Sequence, residues 1–125
     1  MKNRVVHFEI GAEDPGKLAE FYKKAFGWEI NEWGESGYFM VGSEKDRAVG
    51  AIFGGIMKRY KNEKTINTIE VEDLDKAIAD VEAGGGKIVK PKALMPLGDE
   101  TMWWCYAEDP QGNVFGMMHM VKNAK

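Results

Sequence analysis

Asp14-Pro15-Gly16-Lys17-Leu18-Ala19-Glu20-Phe21-Tyr22-Lys23-Lys24-Ala25-Phe26-Gly27 carries the signals for both ends of a helix. Asp14 can accept hydrogen bonds from the orphan N–H groups of a first turn. Pro15 at the first helical position loses no donor that the helix needs. Gly27 can take the left-handed conformation that ends a helix. Between them, Leu18, Phe21, Tyr22, Ala25 and Phe26 fall on one helical stripe. The same punctuation returns in Asp73-Leu74-Asp75-Lys76-Ala77-Ile78-Ala79-Asp80-Val81-Glu82-Ala83-Gly84, with Leu74, Ala77, Ile78 and Val81 as the stripe and Gly84 as the stop. Asp14 and Asp73 stand 59 residues apart (73 − 14), and so do Gly27 and Gly86 (86 − 27). A shared offset at two landmarks predicts a gapless repeat.

Outward from each helix the pattern is that of strands. Val5-Val6-His7-Phe8-Glu9-Ile10 precedes the first and Ile66-Asn67-Thr68-Ile69-Glu70-Val71 the second. Trp28-Glu29-Ile30 and Lys87-Ile88-Val89 follow them. Further strands are predicted over Tyr38 to Val41, Ala48 to Met57, Thr101 to Ala107 and Asn113 to Met118. Asp109-Pro110-Gln111-Gly112 suits a β-turn, with proline second and glycine fourth. Each half therefore reads β-α-β-β-β, an α+β class, with modules over about 1–57 and 65–121 of one domain spanning 1–125 and a polar link from Lys58 to Lys64.

Strand alternation sorts the side chains. Val6, Phe8 and Ile10 point toward the helix, and His7 and Glu9 point away. In the second half Asn67, Ile69 and Val71 share one face, and Ile66, Thr68 and Glu70 the other. Each sheet is thus apolar under its helix and mixed or polar on its open side.

The composition narrows the partners. The 125 residues are 44% hydrophobic and 30% charged, an ordinary globular balance. The net charge of −3 disfavours nucleic acid or an anionic membrane as the main partner. No apolar run reaches the ~20 residues of a membrane span, and no secretory signal is visible. The single cysteine, Cys105, offers no intrachain disulfide and no zinc motif, which predicts a cytoplasmic setting. Cys105 also has no His or basic neighbour in sequence to activate it as a nucleophile.

These features together resemble the vicinal oxygen chelate superfamily of glyoxalase I, bleomycin-resistance proteins and extradiol dioxygenases. The resemblance rests on the paired βαβββ pattern, the Phe21-Tyr22…Phe26-Gly27-Trp28 helix exit, and Glu108-Asp109-Pro110-Gln111-Gly112-Asn113 before the last strand. It implies curved mixed sheets around a cavity, and a ligand site on their concave side. It also implies four metal-ligand positions. They fall on His7, on or near Ala51, on Ile66 and on Gly116, so a single imidazole stands where relatives place four donors. No metal and no cofactor is therefore expected.

The candidate site follows. His7 and Glu9 are the candidate catalytic pair, with His7 as general base or hydrogen-bond donor. Thr68, Glu70, Phe53, Trp103 and Met118 are the candidate ligand contacts, with Tyr38 and Met120 completing an apolar pocket. Trp103 and Trp104 are neighbours and must face opposite sides of their strand, so one of them reaches the ligand. Trp33 and Tyr60 read as rim residues at a dimer contact. Two functions compete: metal-independent binding of a small, partly aromatic molecule, or a glyoxalase-like lyase, isomerase or dioxygenase built on His7. Exposed strand edges predict a homodimer.

Overall fold

The computed structural model describes residues 3–59 and 63–124. Its elements run β1 (Arg4–Ala12), α1 (Pro15–Phe26), β2 (Ile30–Glu32), β3 (Phe39–Val41), α2 (Glu44–Ala48), β4 (Phe53–Lys58), β5 (Thr65–Glu70), α3 (Leu74–Ala83), β6 (Lys87–Leu97), β7 (Glu100–Glu108) and β8 (Val114–Lys122). The predicted α+β class is present, and the βαβββ order recurs twice, the first time with a short additional helix, α2, before its last strand. Two compact units result, one from Val6–Asn67 and one from Met1–Val5 with Thr68–Lys125.

The first unit orders its strands β2-β3-β4-β1. The pair β1/β4 is parallel, and β4/β3 and β3/β2 are antiparallel. Asp14 caps α1 by accepting from the Lys17 N–H at 3.1 Å, and Gly27 ends it at φ 68°. Ala12, Ala19, Ile30, Val41 and Ile56 form the buried core, with Phe8, Ile10, Leu18, Tyr22, Trp28 and Phe39 packed on it. Tyr22 and Trp28 stack at 4.5 Å between centroids and 9° between planes. The expected stripe is narrower than the sequence suggests. Phe21 and Phe26 are 55% and 65% exposed, because Leu18, Ala19 and Tyr22 already occupy the side of α1 that meets the sheet.

The second unit repeats the design as β5-β8-β7-β6, with β5/β8 parallel and the other pairs antiparallel. Asp73 caps α3 through the Lys76 N–H at 3.0 Å. The left-handed residue is Gly85 at φ 97°, and not Gly84, which stays at −84°. Val71, Leu74, Cys105, Ala107 and Met117 form its core. The predicted turn before β8 is present: the Gly112 N–H donates to the Asp109 carbonyl at 2.9 Å.

Two strands depart from expectation. The strand predicted over Ala48 to Met57 starts late: Ala48 is the last residue of a short helix, Glu44–Ala48, and the strand begins only at Phe53. Ser43 and Asp46 form a reciprocal capping box that fixes this helix. The strand begun at Lys87 continues to Leu97 despite Pro91 and Pro96. It lies at the end of its unit's strand order and shifts register between Ile88 and Ala93, so prolines remove few ladder bonds.

Candidate ligand site

Alternation along β1 puts Phe8 and Ile10 into the core and sends His7 and Glu9 to the opposite, open face. Tyr38, at the start of β3, brings its hydroxyl between them. The Tyr38 hydroxyl donates to Glu9 Oε2 at 2.7 Å and lies 3.1 Å from His7 Nε2. His7 Nε2 and Glu9 Oε2 are themselves 3.9 Å apart. A phenol has one proton. With it committed to the carboxylate, the oxygen accepts from His7 Nε2–H, and a neutral ring then carries its acceptor at Nδ1. Glu9 is 7% exposed, while the His7 side chain keeps 29% of its surface. The buried end of the chain is thus an anion acceptor and the accessible end an imidazole. Tyr38 also lines an open pocket of about 560 Å³ with Pro15, Gly16, Glu32, Met57 and Lys58.

The space for Tyr38 comes from a glycine. Gly55 is the β4 partner of Glu9, and a Cβ there would coincide with the Tyr38 hydroxyl. Phe53 is the β4 partner of His7 and lies on the same face. Its ring carries the Arg47 guanidinium 4.5 Å from the centroid.

In the second unit the equivalent face has different chemistry. Thr68 is paired with Gly116 and Glu70 with Met118 on β8. Trp104 is opposite Met118, and Tyr106 is opposite Gly116. A Cβ at Gly116 would meet Thr68 Oγ1 at 2.8 Å. Trp104 meets Tyr106 edge-on at 5.3 Å. Trp103 points the other way and packs on the core beneath α3. Of the adjacent pair it is therefore Trp104, and not Trp103, that shares a face with Thr68 and Met118. Trp103 instead joins Leu74, Asp75, Lys92 and His119 around a small pocket of about 190 Å³. Cys105 is fully buried, and burial pushes its thiol up to about 11, which leaves it protonated and unreactive at neutral pH. Trp33 is exposed in its loop, and Tyr60 lies outside the described residues.

The strand registers also relocate one ligand position. Glu9 stands to Gly55 as Thr68 stands to Gly116. The position equivalent to Gly116 in the first unit is therefore Gly55, and not Ala51, which lies exposed between α2 and β4. The four positions then read His7, Gly55, Ile66 and Gly116. Two are glycines whose side-chain space is already filled, and Ile66 is buried and apolar. This donor set does not fit a divalent metal. Among the described residues no three His, Cys, Asp or Glu side chains group as metal ligands.

Sequence reasoning put His7 and Glu9 together on this face but placed Tyr38 only as an apolar wall. The signal was Gly55: a glycine inside a strand marks a close approach. Arg47 was missed because its helix was not foreseen and it fell between two predicted strands.

A family model described as the Glyoxalase/Bleomycin resistance protein/Dioxygenase superfamily matches residues 4–117. No curated protein matches the sequence. Among solved structures, a glyoxalase/bleomycin resistance protein/dioxygenase superfamily member from Vibrio splendidus 12B01 superposes with a TM-score of 0.69 at 14% identity, covering 94% of this chain and 98% of that one. A methylmalonyl-CoA epimerase variant from Streptomyces coelicolor, in complex with 2-nitronate-propionyl-CoA, gives 0.59 at 16% identity with both chains fully covered. A Mn(II)-bound glyoxalase from Novosphingobium aromaticivorans gives 0.61 at 19% identity, covering 99% of this chain and 40% of that one. At these identities the likeness is one of fold.

Proposed function

Because the chain belongs to the Glyoxalase/Bleomycin resistance protein/Dioxygenase superfamily, we propose that it uses this fold for metal-independent recognition of a small, partly aromatic molecule at the open face around His7. The observation that carries this reading is the filling of Gly55 and Gly116. Gly116 sits where the resemblance places a chelating carboxylate, Gly55 holds the same register in the first unit, and the Tyr38 hydroxyl and Thr68 Oγ1 occupy the space a carboxylate stem would need. In place of a cation the face offers an imidazole, a phenol and a stacking ring, Phe53. A small-molecule partner is consistent with a structural relative that holds a CoA ester analogue.

Elemental analysis of the purified protein tests the metal-independent part. Less than about a tenth of an equivalent of bound divalent ion is expected, and a stoichiometric ion overturns it. A homodimer and a cytoplasmic setting belong to the same reading. No helix among the described residues is long and apolar enough to cross a membrane. Light scattering at micromolar concentration should give twice the monomer mass.

A second reading is favoured by the hydrogen-bond chain. His7, Tyr38 and Glu9 are aligned to move a proton, with the accessible imidazole as the group that meets a substrate and Glu9 as its buried counter-charge. That chemistry suits a lyase or isomerase of the glyoxalase type. His7→Ala distinguishes the two: turnover lost with affinity kept supports proton transfer, while affinity lost alone supports binding.

A further inference from the structure

Arg47 is a cation without a counter-ion. Its guanidinium lies over the Phe53 ring, and among the described residues no carboxylate comes within ion-pair distance. The nearest acid in sequence, Asp46, is engaged in the cap of α2, where it accepts from the Ser43 N–H at 2.8 Å and the Ser43 hydroxyl at 3.2 Å. Among the described residues two other side-chain cations lie over rings: Lys90, 5.2 Å from the Trp104 centroid and also without an ion pair, and Lys92, which gives the contrast. Lys92 lies 5.0 Å from the Trp103 centroid and is neutralised by Asp75 at 2.9 Å. Arg47 has the stacking without the neutralisation.

Its support is built into the fold. Gly42, at φ 119°, has no side chain where a Cβ would meet the Phe53 ring at 2.8 Å, so the ring packs flush on the backbone. Phe53 is in turn the β4 partner of His7. Arg47, Phe53 and His7 therefore follow one another along a single face of one unit. The helix carrying Arg47 has no counterpart in the other repeat, where residues 109–113 alone join the equivalent strands.

We infer that the ligand of the His7 face is an organic oxyanion, a carboxylate or a phosphate, whose charged group is taken by Arg47 while its apolar part lies on Phe53 toward His7. A planar guanidinium presents parallel N–H donors that match either oxyanion, and stacking on a ring holds that fork in place without using the donors. This inference rests on the small-molecule reading of the site and adds the charge of the ligand.

The test uses three probes of similar shape, phenylacetate, phenyl phosphate and the neutral phenylacetamide, followed through the imidazole resonances of the full chain. His119 is the internal reference, since it lies beside Trp103 beneath α3. At least one anion should shift the His7 signal at a concentration where the amide does not, with His119 unmoved. Arg47→Gln should weaken that anion about tenfold or more and leave the amide unchanged, while Arg47→Lys should keep part of the affinity. Arg47 is exposed, so these variants should fold. Equal binding of amide and anion, or an anion affinity unaltered in Arg47→Gln, overturns the anion assignment and leaves small-molecule binding standing. No shift of His7 by any probe overturns both.

Discussion

The two repeats share strand order, aspartate helix caps and the glycine opposite the second inward residue, yet one face carries an imidazole-phenol-carboxylate chain and the other, beside Thr68 and Glu70, is lined by aromatic rings and methionine. In the first unit Glu9, Tyr38 and His7 are joined through a hydroxyl opposite Gly55. In the second, Thr68, Trp104, Tyr106 and Met118 surround Gly116. The strand registers place Tyr38 and Trp104 at equivalent points, so a phenol that reaches a carboxylate is matched by an indole that packs on a tyrosine. Duplicated topology therefore preserves the backbone niche, here a glycine with an aromatic over it, while the chemistry placed in the niche diverges. The core faces diverge less, because both must fill the same volume under a helix.

The most damaging way to break that comparison is to fill the two niches. Gly55→Ala forces a methyl group into the Tyr38 hydroxyl and ring edge, so the ring must leave its place between His7 and Glu9. We expect a loss of more than about 3 kcal/mol, at the upper end of overpacking effects. Gly116→Ala meets the Thr68 hydroxyl at 2.8 Å and otherwise only ordinary contacts, the Tyr106 ring at 3.4 Å being the nearest, and should cost about 1 kcal/mol. Denaturant unfolding of both variants, with Tyr38→Ala and Thr68→Ala as partners in double-mutant cycles, measures the difference. Each partner substitution should restore most of the loss in its own unit and none in the other. Equal losses in the two units would mean that Gly55 is not shaped around Tyr38.

Each unit also buries an ionisable side chain in a different setting. Glu9 is buried with a hydroxyl donor at 2.7 Å. Cys105 is buried among apolar side chains, and burial raises its thiol from 9.0 to about 11. A raised pKa in the folded state means that the unfolded chain releases its proton first. The stabilisation is fully present below pH 9 and is lost as pH rises toward 11, on the order of 2 to 3 kcal/mol at the end of that window. Lysines and tyrosines titrate in the same range, so the readout is a difference. Stability curves of wild type and Cys105→Ala should run parallel up to pH 9 and converge above it.

The parts of this molecule legible in its sequence are those with local causes. Asp14 and Asp73 announce their helices because a cap needs only the next turn. His7 and Glu9 could be assigned to the open face because strand alternation is local too. Tyr38 escaped as a polar residue because its partners are 29 and 31 residues away, and only the register of β1, β4 and β3 brings them together. Which of Trp103 and Trp104 shares the face of Thr68 stayed open for a related reason: adjacent residues on a strand fix that the two faces differ, and not which face meets α3. Helix α2 was not foreseen: Glu44 to Arg47 fell between two predicted strands, and Ala48 was counted into the second because Val49, Ile52 and Phe53 carry strand-forming side chains. The capping box from Ser43 to Asp46 outweighed that propensity, and Val49 is left 82% exposed.

Removing one hydroxyl sharpens the comparison. Tyr38→Phe keeps the ring over Gly55 and deletes the 2.7 Å donor to a buried carboxylate, an exchange that should cost about 2 kcal/mol. Thr68→Val, the matching change beneath Gly116, keeps the shape of the second niche and should stay within about 1 kcal/mol. Thermal unfolding near neutral pH compares the two. The same Tyr38→Phe protein should lose the hydrogen bond that fixes the His7 tautomer, visible as altered imidazole nitrogen shifts, whereas Thr68→Val should leave them unchanged.

The smallest effect concerns how each unit connects its last two strands. The first spends residues 42–52, including a helix, and the second only residues 109–113. The short connection is held by one carboxylate. Asp109 Oδ1 accepts from the Gln111 N–H at 2.9 Å, the Asn113 N–H at 3.0 Å and the Asn113 side-chain amide at 3.2 Å. Hydrogen bonds from the Asn113 side chain, then from its backbone, hold the Asp109 carboxyl below its ordinary value of 3.8. A lowered pKa stabilises the fold at pH values above that ordinary value and is lost as acid protonates the folded carboxyl. Asn113→Ala removes the first-ranked donor and keeps the backbone ones, so an NMR titration of Asp109 should move back toward 3.8 without reaching it. A carboxyl that does not move would assign the turn to its backbone alone. Since the solvent-exposed turn replaces an entire helix, that result would also make the two connections differ only in length.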